Sequence, residues 1–250
     1  MTVPFFYVSP EHWGDAVTLD GQEARHLSQV LRITEGRQVA VLDGMGRTGL
    51  FTVHAVNKKS VQLTRISEKL TPAPKARAII ALAYSKAVRR GFFMEKAVEL
   101  GAHAIWLWQG DHSQGKLSPA SGEACRGQLI AGAKQCGNPW LPEVRVLSNG
   151  VDELTAMAQE ADHRILPWEL QDGVHMLTSE LTGQEGVTVY VIGPEGGFSK
   201  REFSVLCDAG FTAVSLGARI LRCETAATLC LGLHWWASQQ LGKVDATGEV

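Results

Sequence analysis

Cysteine is scarce and unpaired in this 250-residue chain: Cys125, Cys136, Cys207, Cys223 and Cys230 are odd in number and show no CxxC spacing. A disulfide framework and a zinc ribbon are thereby excluded, no metal is expected, and a reducing cytoplasm fits best. No apolar run approaches the roughly 18 residues that a membrane span requires. The opening MTVPFFYVSP has neither a basic flank nor a cleavable apolar core, so secretion and membrane insertion are not expected. Net charge is slight as well, −2, which argues against a binder of nucleic acid by charge alone. The total hides an asymmetry. Residues 1–150 carry 18 Lys and Arg against 12 Asp and Glu, whereas residues 151–250 carry 6 against 14. Such a split suggests that one face meets a polyanion, although an uneven, merely solvated surface explains it equally well.

What is present is an ordinary globular composition, 45% hydrophobic and 20% charged, enough for one large domain or two modest ones. The first 70 residues are β-rich. Gln38–Asp43, Thr48–Val56 and Ser60–Ile66 are dense in β-branched residues and bounded by turn signals. Glu23–Arg32 instead places Ala24, Leu27, Val30 and Leu31 at helical spacing, which predicts a short helix on a small barrel. The two prolines of TPAPK, residues 71–75, then interrupt regular structure and make the best linker in the chain. From Arg77 onward strands alternate with helices. Strands are expected at Ala78–Ala83, Ala104–Trp108, Glu143–Leu147, His163–Leu166, Val187–Gly193 and Ala213–Leu216. Helices are expected at Arg89–Leu100, Gly122–Cys136, Val151–Glu160, Lys200–Asp208 and Glu224–Leu241. Runs such as VTVYVIG are apolar throughout, as strands covered on both faces must be, so the larger domain is α/β with a mainly parallel sheet.

Three glycine-rich stretches carry chemical information. Gly44-Met-Gly46-Arg-Thr-Gly49 matches GxGxxG but lies between two β segments, and Asp43-Gly44 is a hairpin signal. A dinucleotide fingerprint needs a helix after it, so a turn is the better reading. Gly193-Pro-Glu-Gly-Gly197 follows a buried strand and precedes a helix signalled by a capping box, Ser199 with Glu202. A glycine turn between strand and helix N-terminus is a favoured ligand site in open α/β sheets, because backbone amides can approach closely. A tight turn without a ligand fits this stretch alone just as well. The third stretch, LGARILRCETAA (residues 216–227), repeats the arrangement with Arg219 and Arg222 in its loop and Glu224 opening the last helix. Two glycine-ended strands with polar loops imply one shared pocket.

GPEGGFSKREF followed by SLGARILRCETAA resembles the RsmE family, which methylates N3 of a uridine in 16S ribosomal RNA. The likeness extends to PFFYV, His26-Leu27, Val30-Leu31-Arg32, Lys86, Lys96-Ala-Val-Glu-Leu-Gly101 and Gln135-Cys-Gly137 with Pro142, nearly the full chain. It implies a SPOUT-type, trefoil-knotted α/β methyltransferase domain, residues 73–250, preceded by a small PUA-like β-barrel domain, residues 1–72. It further implies S-adenosylmethionine (SAM) as cofactor, ribosomal RNA or the small ribosomal subunit as partner, and a homodimer.

The resemblance also implies roles for individual residues. Three loops would hold SAM: the one after Leu166, Gly193–Gly197, and Leu216 through Ala226. Ile192, Leu216, Ile220 and Leu221 would give apolar walls and backbone contacts to adenine. Gly193, Pro194, Gly196, Gly197 and Gly217 would leave room for ribose and the methionine moiety, with Arg222, Thr225 and Ala226 completing the third loop. Uracil N3 carries a proton at neutral pH, so methyl transfer needs a base or stabilisation of the developing anion. Arg222 is the expected anion stabiliser, Glu195 the proton acceptor, and Glu224 a cap or a group orienting Arg222. Cys223, where the family usually has Thr, is read as a small neutral replacement. Arg25, His26, Arg32, Lys86, Arg89, Arg90 and Lys96 are the expected RNA contacts, a solvated surface being the alternative for each.

Asn138, His112 and Gly127 depart from the usual Arg, Arg and Trp of the family. The missing arginines keep open a SPOUT methyltransferase acting on another RNA position; a second alternative is a catalytically weak RNA-binding ribosome-assembly factor of the same fold, against which the intact GPEGG and LGARILRCETA argue. The last helix carries an apolar stripe, Ala226, Cys230, Leu233, Ala237 and Leu241, while Trp235 and Trp236 cannot share one side.

Overall fold

The computed structural model describes residues 3–84, 87–168 and 175–244. The chain forms two compact units, Met1–Ala73 with Ile130–Leu141, and Pro74–Leu129 with Pro142–Val250.

In the first unit, strands β1 (Phe5–Tyr7), β2 (Ala16–Asp20), β3 (Gln38–Leu42), β4 (Arg47–Val56) and β5 (Ser60–Leu70) make a sheet ordered β1-β3-β4-β5-β2. β1 runs parallel to β3, and the remaining pairs are antiparallel. Phe6, Val17, Leu27, Val41, Phe51 and Leu63 are among the side chains closing its core. β1 escapes sequence reading because three residues are too few to show a period, and β2, although its five residues alternate between buried and exposed, is not among the expected strands. The helix expected at residues 23–32 is α1 (Gly21–Arg25) running into a π-helical turn, His26–Val30. Arg32 closes that turn at φ 52°, a left-handed conformation unusual for a side-chain-bearing residue. The GxGxxG stretch is the β3–β4 hairpin. Buried Asp43 accepts the backbone N–H of Met45 (2.7 Å) and Arg47 (3.0 Å) and pairs with the Arg47 guanidinium (2.6 Å).

Residues 130–141 strap this unit. Gly46 N–H donates to Pro139 O (2.9 Å), Leu141 N–H donates to Gly44 O (3.0 Å), and Met45 bridges to Trp140. Lys134 pairs with Glu23 at 2.5 Å with both side chains mostly buried, so the pair is shielded from solvent more than a surface pair is.

The second unit is α/β. Its elements are β6 (Ala76–Ala83), α2 (Ala87–Glu99), β7 (Ala104–Trp108), α3 (Ala120–Glu123), the start of α4 (Arg126–Cys136, which from Ile130 on belongs to the first unit), β8 (Glu143–Leu147), α5 (Gly150–Met157), β9 (His163–Pro167), β10 (Gly186–Ile192), α6 (Lys200–Asp208), β11 (Thr212–Val214) and α7 (Cys223–Val244). The six strands are all parallel, ordered β11-β9-β10-β6-β7-β8. β6, β7 and β10 are buried along nearly their whole length because helices cover both faces. On one face Ala81, Trp106, Val189 and Val191 meet Leu154 of α5 and Leu206 of α6, and on the other α7 lies across β6 and β10. The single helix expected over residues 122–136 breaks at Ala124–Cys125, where the buried Cys125 thiol donates to Ser121 O.

Of the stripe expected on α7, only Cys230 is fully buried among the described side chains. Ala227, Cys230, Leu231 and His234 face inward, while Leu229, Leu233 and Trp236 face outward at 36%, 36% and 61% exposure. The helix is apolar around much of its girth, so spacing alone does not choose the face. The side chain of Leu241 lies outside the described residues.

His234 anchors α7 from within. Its Nδ1 accepts the backbone N–H of Gly183 (3.3 Å) and lies 3.2 Å from the Tyr190 hydroxyl. Burial holds the imidazole down at about 4, with the charge of His163 adding to the effect. A histidine depressed in the folded state stabilises the fold fully above its usual value near 6.5, and that contribution is lost as pH falls toward 4. Acidification across this window should therefore lower the thermal midpoint, with a penalty on the order of 3 kcal/mol at the acid end. Melting curves from pH 7 to pH 4 should show a smaller fall for His234→Asn than for wild type, and equal falls would remove His234 as the cause.

Candidate active site

The site is built where β9, β10 and β11 end. In parallel sheets the strands' carboxyl ends and the loops leaving them form the natural ligand crevice. β9 delivers Pro167 and Trp168, β10 runs into the glycine turn 193–197, and β11 leads through Ser215 into the loop that α7 terminates. Together these loops enclose a cavity of about 810 Å³, within the roughly 300–1,000 Å³ of small-molecule sites.

The glycine turn is fixed at both ends. At its start, the Trp108 indole N–H donates to Ile192 O (3.3 Å). Gly193 leaves no room for a side chain, since a Cβ there would lie 2.7 Å from the Phe198 ring. At its end the expected capping box is present. Ser199 Oγ accepts Glu202 N–H (3.2 Å), and Glu202 Oε2 accepts Ser199 N–H (2.7 Å). Glu202 is buried and its second oxygen accepts Asp111 N–H (2.8 Å), which satisfies the carboxylate on both sides. Aromatic rings line one wall. Trp168 stacks on Phe198 with centroids 5.5 Å apart and tilts against Phe203 at 4.3 Å, while Phe198 stacks in turn on Trp108 at 6.0 Å.

In the third loop, Ser215 N–H donates to His175 O and Gly217 N–H to Ser215 Oγ, and Ala226 N–H donates to Arg222 O as α7 begins. Glu195, Arg219 and Arg222 are among the residues lining the cavity, one acidic and two basic. The Cys223 thiol donates to Glu224 Oε2 at 3.3 Å. Burial first, and that hydrogen bond second, push the thiol up to about 11, so it stays protonated at neutral pH and offers no thiolate nucleophile.

Most residues expected at the cofactor converge here: Ile192 through Gly197, Leu216, Gly217, Ile220, Leu221, Arg222 and Ala226 all line the cavity. Leu166 instead points into the hydrophobic core, and its neighbours Pro167 and Trp168 take the lining position. Thr225 is exposed and Glu224 half-buried, and neither lines the cavity. Sequence reading passed over Trp168 and Phe198, although each directly follows a strand end or a glycine turn, which was the available signal.

The expected RNA contacts fall on both units in sequence. Arg25 and Arg32 are exposed on the first unit, where His26 tilts against Phe6 with ring centroids 5.9 Å apart. Lys96 on α2 is paired with Glu99 at 2.7 Å. Lys86 and the side chains of Arg89 and Arg90 lie outside the described residues. Among the described residues no cluster of His, Cys, Asp and Glu could hold a metal ion, and no helix is long and apolar enough to cross a membrane.

Comparison with known proteins gives this cavity a family. The model of the RNA methyltransferase domain matches residues 71–235, and that of the RNA methyltransferase PUA domain matches residues 19–64. The ribosomal RNA small subunit methyltransferase E of Synechocystis is 30% identical over 231 residues, 90% of this chain and 74% of the relative. A methyltransferase of Legionella pneumophila, solved with bound SAM, superposes with a TM-score of 0.84 at 26% identity, covering 95% of this chain and 98% of the other. The ribosomal RNA small subunit methyltransferase E of Neisseria gonorrhoeae, solved bound to SAM, gives a TM-score of 0.81 at 26% identity, covering 96% and 98%. With the glycine turn and the third loop meeting at one cavity beneath those matches, the chain belongs to the RNA methyltransferase family, within the ribosomal RNA small subunit methyltransferases E.

Proposed function

We infer that this chain uses SAM to methylate N3 of a uridine in 16S ribosomal RNA, in the cytoplasm where small subunits are assembled. The observation that carries this reading is the meeting of the 193–197 and 216–226 loops around one cavity. The residues fit the cofactor. Ile192, Leu216 and Leu221 offer apolar walls, while Gly197 and Gly217 leave open space where a Cβ would meet nothing within 4 Å.

When bound, SAM supplies an electrophilic methyl group, so the chain must hold the uracil nitrogen in line with it and manage one proton. Glu195 accepts the N3 proton. Arg222 donates to the uracil oxygens as negative charge develops on them. Cys223 remains a neutral thiol at the head of α7, and Glu224 accepts its hydrogen bond. RNA is held by residues 1–72, where Arg25, His26 and Arg32 meet phosphates, and by Lys86, Arg89, Arg90 and Lys96 of the methyltransferase domain, residues 73–250.

The active form is a homodimer. Ile220 stands 81% exposed at the cavity, and Leu229, Leu233 and Trp236 form an outward apolar row on α7, a surface that a second copy would cover. Calorimetric titration with SAM should give micromolar binding, and incubation with unmethylated small subunits should add one methyl group to a uridine, read by mass spectrometry of the RNA. Light scattering on the same preparation should give the mass of two chains. Absence of SAM binding would end the enzyme reading, and a methylated base other than uridine would redirect it to another RNA position.

A further inference from the structure

The loop that follows β7, residues 109–117, is organised by its own side chains. Gln109 Nε2 donates to Gly115 O (3.2 Å) while its Oε1 accepts Leu117 N–H (2.7 Å), and Gly110 N–H donates to Ser113 Oγ (3.1 Å). This loop takes hold of the glycine turn 84 residues downstream. Asp111 Oδ2 accepts the Ser199 hydroxyl (2.6 Å), and Gly110 packs under the Pro194 ring. Between these anchors His112 Nδ1 lies 3.2 Å from Gly196 O and 3.1 Å from Gly197 O. Both partners are carbonyl oxygens, which only accept, so Nδ1 must carry the hydrogen and share it between them.

We propose that His112 is a positioning residue for cofactor capture: its Nδ1–H locks two consecutive glycine peptides of the turn that lines the cavity. The role rests on the methyltransferase reading above. Its physical basis is the freedom of the segment it holds. Gly196 and Gly197 have no Cβ to restrict rotation, and Gly197 already sits at φ +74°. In a planar trans peptide the N–H points opposite the carbonyl. Fixing the carbonyls of Gly196 and Gly197 toward the imidazole therefore fixes where the N–H groups of Gly197 and Phe198 point. The Gly197 N–H reaches Pro194 O at 2.9 Å and closes the turn. Without the imidazole the two peptides can rotate, and cofactor binding must first reorder them, which weakens binding without touching the reacting atoms.

The test is calorimetric titration of the full-length protein with SAM and S-adenosylhomocysteine, together with methylation kinetics on unmethylated small subunits. His112→Ala should raise the dissociation constant for both about ten-fold. The KM for SAM should rise in parallel and kcat at saturating SAM should stay within about two-fold, the pattern of lost ground-state binding. His112→Asn places an N–H donor at similar reach and should recover most of the affinity. Because His112 is exposed, both variants should melt near the wild-type temperature. Unchanged affinity in His112→Ala overturns the proposal, as does an Asn variant no better than Ala. Wild-type protein that binds no SAM overturns the methyltransferase reading and this role with it.

Discussion

Tryptophan introduced at Gly196 should abolish SAM binding, raising the dissociation constant by at least about a hundred-fold. The argument is steric and local. A Cβ at Gly196 would lie 2.8 Å from the Cβ of His112, an atom that moves only with its own backbone. At the preceding residue that backbone is held by Glu202, which accepts the Asp111 N–H, while the Asp111 carboxylate accepts the Ser199 hydroxyl, so the turn must yield. Displacing the turn moves Gly193–Gly197, five consecutive residues of the cavity lining. Gly196 is exposed and lies outside both hydrophobic clusters, so the thermal midpoint should fall only modestly while affinity vanishes. Calorimetry on the folded variant decides the matter. Retained micromolar binding would move the cofactor away from this turn.

Arg222→Ala should lower kcat by about a hundred- to a thousand-fold with little change in KM for SAM, the size of effect seen when a donor to developing charge is removed. Arg222 precedes the first turn of α7, and its carbonyl accepts Ala226 N–H at 2.9 Å. A cation at a helix N-terminus opposes the helix dipole, so the side chain gives that end no favourable charge interaction. Its removal should therefore leave the melting temperature level or slightly higher. Arg222→Lys should recover little, because an ammonium group cannot present the planar fork of a guanidinium. Single-turnover methylation of small subunits reads the effect, and a kcat within about three-fold of wild type would take Arg222 out of the chemistry.

How much of this was legible beforehand depended on whether the determining contacts were near in sequence. β7, β8 and α6 occupy Ala104–Trp108, Glu143–Leu147 and Lys200–Asp208, the bounds their residues predict, because turn signals and the Ser199–Glu202 box are written within a few positions. The convergence of the two glycine-ended loops was also readable, since each motif sits at a strand end. β1, only three residues long, was not, because its register comes from β3 more than 30 positions away. The buried face of α7 was misread because Leu233 and Leu231 have the same hydrophobicity, and only the sheet beneath decides between them. His112 was visible as a departure from the family pattern, but its grip on Gly196 and Gly197 bridges 84 residues or more and leaves no local trace.

The strap formed by residues 130–141 governs the order in which the protein can be completed during its own synthesis. Domains commonly fold as units while the chain emerges, N-terminal part first. Here the β3–β4 hairpin lacks its backbone partners at Gly44 and Gly46 until Pro139 and Leu141 have emerged. By then β6, α2 and β7 of the other unit have already been made. The two units are therefore finished in interleaved order, and a nascent chain halted at the proline linker carries a curled sheet with one seam still open.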